Sequence, residues 1–401
     1  MSSSLISRSG SRLRSLMAFA TVALLTASPA FAASNAGKYQ AVLGDCEGCH
    51  GKNLAGGVAL ETPFGKLVTP NITPDRETGI GTYSLEDFRK AMTQGVGPGG
   101  KLLYPAMPYP YYARMRDGDI AVLWSYIRSV KPVKQAQNVN QLRFPFNIRF
   151  AMHGWNLLYF QPTALAPDSA KSAVWNRGRY LVEGAAHCGA CHAPKNFLGA
   201  DKPVLTGGLL QGWYAPDLTG NKVSGIGNWS GDDIVDYLKT GRNAHSIASG
   251  PMADVVENST MNMAGGDLVA IATYLADLPP SGGPGGGVDR RDMQLQAGAR
   301  VYRMNCAACH GLDGKGSAIF PPLAGNANVT QALADTAARM VVAGSKAVAT
   351  PAAPTGPAMP SFAWKLDDAQ VANVLTYIRN NWGNSAPAVE AAVVERVRAE
   401  K

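Results

Sequence analysis

Three segments of the chain repeat one pattern of apolar and polar positions. In Asp119–Ile127, Asp267–Leu275 and Ala369–Ile378, apolar residues recur three and four apart, the period of a helix with one buried face. Each of these closing helices is matched by an opening segment upstream: Gly37-Lys38-Tyr39, Gly178-Arg179-Tyr180 and Gly298-Ala299-Arg300-Val301-Tyr302. A glycine in each opening segment lets one helix approach another closely, so the opening and closing helices are predicted to cross. Between them runs a long, irregular stretch with one prominent methionine. An all-α fold of three tandem units follows, the internal repeat being the main organising fact.

The joints differ in character. Pro279-Pro280-Ser281-Gly282-Gly283-Pro284-Gly285-Gly286-Gly287 is a linker by composition. Residues 133–172 are too aromatic for a free linker, with Phe144-Pro145-Phe146-Asn147-Ile148-Arg149-Phe150 and Trp155-Asn156-Leu157-Leu158-Tyr159-Phe160. They read as an ordered bridge packed between the first two units, with a docking surface for a partner as the alternative. The predicted units are therefore 33–132, 173–279 and 291–384, separated by the bridge and by a linker over 280–290. In the tail, 385–401, Val389, Val393 and Val397 fall four apart and predict a small surface helix. At the other end, Arg8, Arg12 and Arg14 precede a short apolar run, Leu16–Ala27, and the small-x-small site Ala30-Phe31-Ala32. That is the pattern of a cleaved secretory leader over 1–32, and it places the mature chain in the periplasm. The run is short for a membrane span.

All six cysteines lie in three copies of one pentapeptide: Cys46-Glu47-Gly48-Cys49-His50, Cys188-Gly189-Ala190-Cys191-His192 and Cys306-Ala307-Ala308-Cys309-His310. Cys-x-x-Cys-His is the pattern of covalent haem attachment. Two thiols add across the two vinyl groups of the porphyrin, and the adjoining histidine lies under the iron. A zinc ribbon would pair such motifs into one tetrahedral site, which three copies do not suit. A thioredoxin-like pair would sit in a βαβ pattern, which is absent. Three covalently bound haem c groups are thus expected, attached through Cys46, Cys49, Cys188, Cys191, Cys306 and Cys309, with His50, His192 and His310 on the irons. Composition agrees: Gly (44) and Pro (26) are abundant and charged residues make up only 16%, as in loop-rich domains whose cores are completed by something other than side chains. The formal charge of +8 drops to +5 if Arg8, Arg12 and Arg14 leave with a leader. No basic run or aromatic-interleaved patch argues for nucleic acid.

The second axial ligand decides what such an iron does. Electron-transfer haems commonly pair His with Met, whose thioether raises the potential. Met107 lies in Tyr104-Pro105-Ala106-Met107-Pro108-Tyr109, Met252 in Gly250-Pro251-Met252-Ala253, and Met359 in Gly356-Pro357-Ala358-Met359-Pro360. They follow the motif histidines by 57, 60 and 49 residues, each beside proline, which stiffens the loop. In the second unit Met261 and Met263 are nearby alternatives. Of the histidines outside the motifs, His187 reads as a local packing or propionate contact. His153 and His245 read as surface or core residues.

These residues, with Glu61-Thr62-Pro63-Phe64-Gly65, Asn71-Ile72-Thr73-Pro74-Asp75, Thr78-Gly79-Ile80-Gly81, Pro194-Lys195-Asn196, Tyr377-Ile378-Arg379 and Trp382-Gly383-Asn384, make the chain resemble the tri-haem cytochrome c subunits of bacterial membrane-associated dehydrogenases. The resemblance implies three class I cytochrome c-like domains, with Met107, Met252 and Met359 at the family's axial positions. It implies haem attachment by the cytochrome c maturation machinery. The partner it implies is a dehydrogenase catalytic subunit, of quinoprotein, flavoprotein or molybdenum type, acting on alcohols, sugars, sugar acids or aldehydes. The acceptor would be ubiquinone, a terminal oxidase or another cytochrome. Several relatives continue into a longer C-terminal extension that holds the complex on the membrane, so here any membrane contact is expected to be peripheral and to run through the partner. The alternatives are a free-standing electron shuttle and a catalytic multi-haem enzyme with an open iron position, which three well-placed methionines oppose.

Overall fold

The computed structural model describes Met1, residues 29–283 and residues 286–400, with side chains from residue 35 onward. Of the expected leader, residues 2–28 lie outside the described residues.

The first unit comprises α1 (Pro29–Leu43), α2 (Cys46–His50), strands β1 (Ala59–Thr62) and β2 (Gly65–Val68), α3 (Leu85–Gln94), the short pair β3 (Val96–Gly97) and β4 (Lys101–Leu102), α4 (Tyr109–Tyr112) and α5 (Asp117–Ser129). The bridge adds β5 (Asn140–Leu142) and α6 (Met152–Tyr159). The second unit holds α7 (Ala173–Tyr180), α8 (Gly189–His192), β6 (Gly208–Leu210), β7 (Trp213–Ala215), α9 (Gly231–Thr240), α10 (Pro251–Asn258) and α11 (Gly265–Ala276). The third holds α12 (Met293–Asn305), α13 (Ala307–His310), α14 (Asp335–Ala343), β8 (Ser345–Lys346), β9 (Ala358–Met359), α15 (Asp368–Arg379) and α16 (Ala391–Ala399). Helices dominate, as the periodicity predicts, but the fold is not purely α. Short antiparallel pairs occur in every unit, and β5 of the bridge joins β1 and β2 in one small sheet.

The stretch expected to be irregular holds a further helix in each unit. In α3 and α9 the signal is local: Ser84 and Asp87 form a capping box, and Ser230 and Asp233 repeat it. Each box satisfies two orphan N–H groups at the helix start. Both helices carry a clear apolar face, Phe88, Ala91 and Met92 in one and Ile234 with Val235 and Leu238 in the other, so the sequence carries this signal as well.

The opening and closing helices cross in all three units, and the glycines explain how closely. A Cβ on Gly37, Gly178 or Gly298 would lie 2.1, 1.9 or 2.0 Å from the carbonyl oxygen of Val122, Ala270 or Asn373. Any side chain there would force the helices apart.

The units are not joined alike. One apolar cluster runs through the first two, including Leu43, Ile120 and Leu123 of the first and Leu181, Leu268 and Ile271 of the second. Two equivalent hydrogen bonds cross between them. Tyr39 on α1 donates to Asp267 at the start of α11 (2.7 Å), and Tyr180 on α7 donates to Asp119 near the start of α5 (2.6 Å). The third unit meets the second through a small apolar cluster, Val348 against Ala248 and Val256, and through polar contacts. Thr336 accepts from Tyr214 N–H (2.8 Å) and donates to its carbonyl (3.0 Å), while the amide of Gln331 donates to Ser224 O (2.6 Å). The Gly/Pro linker is tied at both ends, Ser281 by Asn221 and Thr219 and Val288 by Asn380.

The tail packs back on the third unit. α16 buries Val394 and Val397 against α14 and α15. Val389 is buried just before the helix begins, so the four-residue spacing overstates the helix at its start and picks Val393 where Val394 faces inward. Beneath the tail lies Arg379, 1% exposed. Its guanidinium donates to the carbonyls of Pro387, Val329 and Gln331 at 3.1, 2.8 and 2.8 Å. Burial pulls it down to about 10, still charged at neutral pH.

Candidate haem-binding sites

Each pentapeptide begins or forms a single helical turn, α2, α8 or α13. A turn of helix brings the two cysteines, three apart, and the next residue onto neighbouring directions. Five of the six thiols are half-buried and Cys309 is exposed. Burial pushes Cys46 and Cys188 up to about 12, and Cys49 and Cys306 up to about 11. Those four thiols are therefore neutral, and there is no disulfide among the described residues.

The three motif histidines share one second contact. Nδ1 of His50 lies 2.8 Å from Pro70 O, Nδ1 of His192 lies 2.7 Å from Pro216 O, and Nδ1 of His310 lies 3.1 Å from Pro321 O. A carbonyl only accepts, so Nδ1 carries the proton and Nε2 presents its lone pair. Burial lowers all three imidazoles and the proline carbonyls oppose it, which keeps the rings neutral. A neutral imidazole with its far nitrogen anchored is the form that ligates a metal. This donor set, two thiols and one oriented imidazole per turn of helix, fits haem c.

The prolines were legible in the sequence as a second repeat that the pentapeptides overshadow. Pro70-Asn71-Ile72-Thr73 matches Pro216-Asp217-Leu218-Thr219. Each holds the strand of chain that follows its own closing helix. Asn71 accepts from Thr73 and donates to Val133 O (2.7 Å), whereas Asp217 accepts from Thr219 N–H (2.7 Å) and from the Ser281 hydroxyl. The third unit lacks the pattern. There Asn384 donates to Leu323 O (2.8 Å) and accepts from Gly325 N–H (2.8 Å), bracing the loop beside Pro321.

The three methionines are all half-buried but are presented differently. Met107 lies in a turn, its N–H donating to Tyr104 O (3.0 Å) and its carbonyl accepting from Tyr109 (2.7 Å). Met252 is in the first turn of α10 rather than in a loop, because Pro251 at the first helical position is pre-set for the helix. Met359 is on β9, paired with Ser345. Of the alternatives in the second unit, Met263 is 1% exposed in the apolar cluster with Ile234, Leu268 and Ile271. Met261 shares a smaller cluster with Met252, Ala248, Val256 and Val348 of the third unit.

The first two motifs are neighbours. Tyr112 on α4 donates to Gly44 O (2.9 Å) and meets the His187 ring edge-on at 5.4 Å. Tyr111 reaches Asp201 (2.8 Å) over Gly189, whose Cβ position would lie 2.6 Å from the phenol oxygen. His187 is thus a packing residue between units. The His245 ring stacks on Trp229 (5.6 Å), and the His153 ring meets Phe150 edge-on (5.1 Å).

Residues 34–131 and 295–382 match the cytochrome c family, so the class is that of proteins with covalently bound haem c. The chain is 39% identical over 388 residues to the cytochrome c subunit of a quinone alcohol dehydrogenase from Gluconobacter oxydans, covering 90% of this chain and 81% of that one. It is 39% identical over 389 residues to the gluconate 2-dehydrogenase cytochrome c subunit of Pantoea cypripedii, covering 89% and 87%. It is 41% identical over 380 residues to one of the subunits of a nicotinate dehydrogenase from Pseudomonas putida, spanning 90% of this chain but 32% of that relative. The chain belongs to the family of dehydrogenase cytochrome c subunits, and its work is electron transfer. No helix among the described residues is long and apolar enough to cross a membrane.

Proposed function

We propose that this chain is a periplasmic relay that carries electrons through three haem c groups, from a dehydrogenase catalytic subunit to ubiquinone or another respiratory acceptor. The observation that supports it best is the threefold Cys-x-x-Cys-His turn whose histidine Nδ1 is held by a proline carbonyl. Haem c supplies a one-electron couple at each site. The chain's residues do the rest. Cys46 and Cys49, Cys188 and Cys191, and Cys306 and Cys309 fix the three groups covalently. His50, His192 and His310 hold the irons through Nε2, each ring oriented by its proline carbonyl. Met107, Met252 and Met359 would supply the second protein ligand at each site, which would leave no iron position for a substrate.

The contact between the first two motifs supports direct passage between their haems, without a diffusing carrier. Intact mass and a pyridine haemochrome assay on the exported protein test the reading: three covalent haems, all low-spin in the ferric state, are expected. Two haems, or a high-spin haem that binds cyanide rapidly, would overturn it. Co-purification with a dehydrogenase that reduces these haems on adding its substrate tests the partner. Recovery only as a lone monomer would favour a free shuttle.

A further inference from the structure

The bridge is packed on one side and bare on the other. Its inner contacts are firm: β5 pairs with β2, the Phe64 ring meets that of Phe146 at a tilt, 4.6 Å between centroids, and Trp155 donates to Leu198 O at 3.1 Å. On the outside, Phe144, Phe150, Leu157 and Leu158 are 79, 77, 85 and 69% exposed. Phe197, on the loop that follows the second motif and next to Leu198, is 83% exposed. Phe64 also touches the Gly199 position (3.4 Å). Bridge and loop therefore form one continuous surface, and a contiguous exposed apolar face of this kind marks an interaction site.

Its charge identifies what it meets. From Ile120 to Pro167 the chain has no aspartate or glutamate, but it has Arg128, Lys131, Lys134, Arg143 and Arg149. The carboxylates on the flanking segments are occupied, Glu61 by Lys66 and Asp201 by Lys195. Arg143 is exposed beside Phe144 and its side chain has no partner among the described residues. The large side chains project singly from a turn and from the eight-residue α6, in an arrangement that needs no matching cavity. Lys134 is paired with Glu77 and Arg149 is bound to Leu102 O, so the free charge next to the protruding aromatic and leucyl side chains is that of Arg143. A cation beside exposed apolar side chains is complementary to a fluid anionic surface.

We propose that the face formed by Phe144–Tyr159 and the Phe197 loop seats this chain on an anionic lipid bilayer, lying on the surface rather than spanning it. The binding itself does not depend on the relay reading. If that reading holds, the face also sets the second haem motif beside the membrane, because the Phe197 loop directly follows His192.

The test is sedimentation of the haem-loaded protein, as isolated from its host, with vesicles of phosphatidylcholine alone or mixed with phosphatidylglycerol. Binding to the mixed vesicles is expected, weakened at least tenfold by Leu157→Glu with Leu158→Glu. Arg143→Glu should weaken binding to the mixed vesicles only. All three side chains are exposed, and an unchanged haem spectrum checks that the variants fold. Leu157→Ser with Leu158→Ser serves as a milder pair. Failure of the wild type to bind, or equal binding by the variants, would overturn the proposal. So would loss of dehydrogenase co-purification with vesicle binding intact, which would give the face to a protein partner. No electron donor is present, so these outcomes are independent of the haem count that decides the relay.

Discussion

A histidine next to a cysteine pair is poised only if its far nitrogen is held, and here a proline carbonyl holds it three times. The opposite ligand is the residue-scale test. Met107→Ala is expected to leave the first haem covalently attached, since Cys46 and Cys49 are untouched, but to lower its potential or turn it high-spin. Visible spectra and a redox titration check this, and unchanged values would mean that another residue is the ligand. Arg379 makes a second residue-scale prediction. It serves two buried carbonyls and one part-buried one, with no carboxylate partner among the described residues. Arg379→Met should destabilise the third unit by on the order of 3 kcal/mol, because the carbonyls lose their donors. Urea unfolding of the haem-loaded protein would show it.

Pairs of helices are where small residues matter most. Gly178→Val would place methyl groups where Ala270 O already lies within 1.9 Å of a Cβ. It should cost about 3 kcal/mol through overpacking, whereas valine at the open position of Gly231, where nothing lies within 4 Å of a Cβ, should cost far less. Comparison of the two thermal melts checks the close crossing. The same helix pair carries a pH signature. Burial alone would raise Asp267, but the bidentate contact from Arg177 (2.8 and 2.7 Å) and the hydrogen bond from Tyr39 outweigh it, so its carboxyl is held below the usual range. A carboxylate depressed on folding adds stability above its unfolded value, about 4. That stability is lost as the pH falls through the folded value. The wild type should therefore lose more stability between pH 5 and 3 (about the unfolded carboxylate range) than Asp267→Asn does, as read by chemical unfolding across that range.

On the scale of the whole molecule, the first two units behave as a swapped pair. Tyr39 and Tyr180 occupy equivalent places in the repeat, as do Asp119 and Asp267, and each tyrosine bonds the other unit's aspartate. The third unit has Arg300 and Gln370 at those places, by the register that aligns the three glycine crossings. It cannot join the exchange and docks instead through polar contacts and the small apolar cluster around Val348. Tyr39→Phe and Tyr180→Phe should each cost about 1 kcal/mol, the net worth of one hydrogen bond. Both should perturb the first two haems and not the third, which haem-resolved spectra during denaturant unfolding would show.

Haem class, repeat number and helix crossings were open to reading in the chain because each depends on residues close in sequence: a pentapeptide that fits the porphyrin edge, an amphipathic period, a glycine in an opening helix. The capping boxes at Ser84 and Ser230, and the apolar faces of the helices they open, were equally local and equally legible. The folded chain alone showed which proline carbonyl takes each histidine Nδ1, since Pro70, Pro216 and Pro321 lie 20, 24 and 11 residues away and only packing brings them near. It alone paired Tyr39 with Asp267 across 228 positions, and it alone turned the aromatic bridge so that Trp155 faces inward while Phe150 and Leu157 face out. Hydrophobicity says that a side chain prefers to leave water, but which of several apolar residues does so is settled by the surface that the rest of the fold offers it.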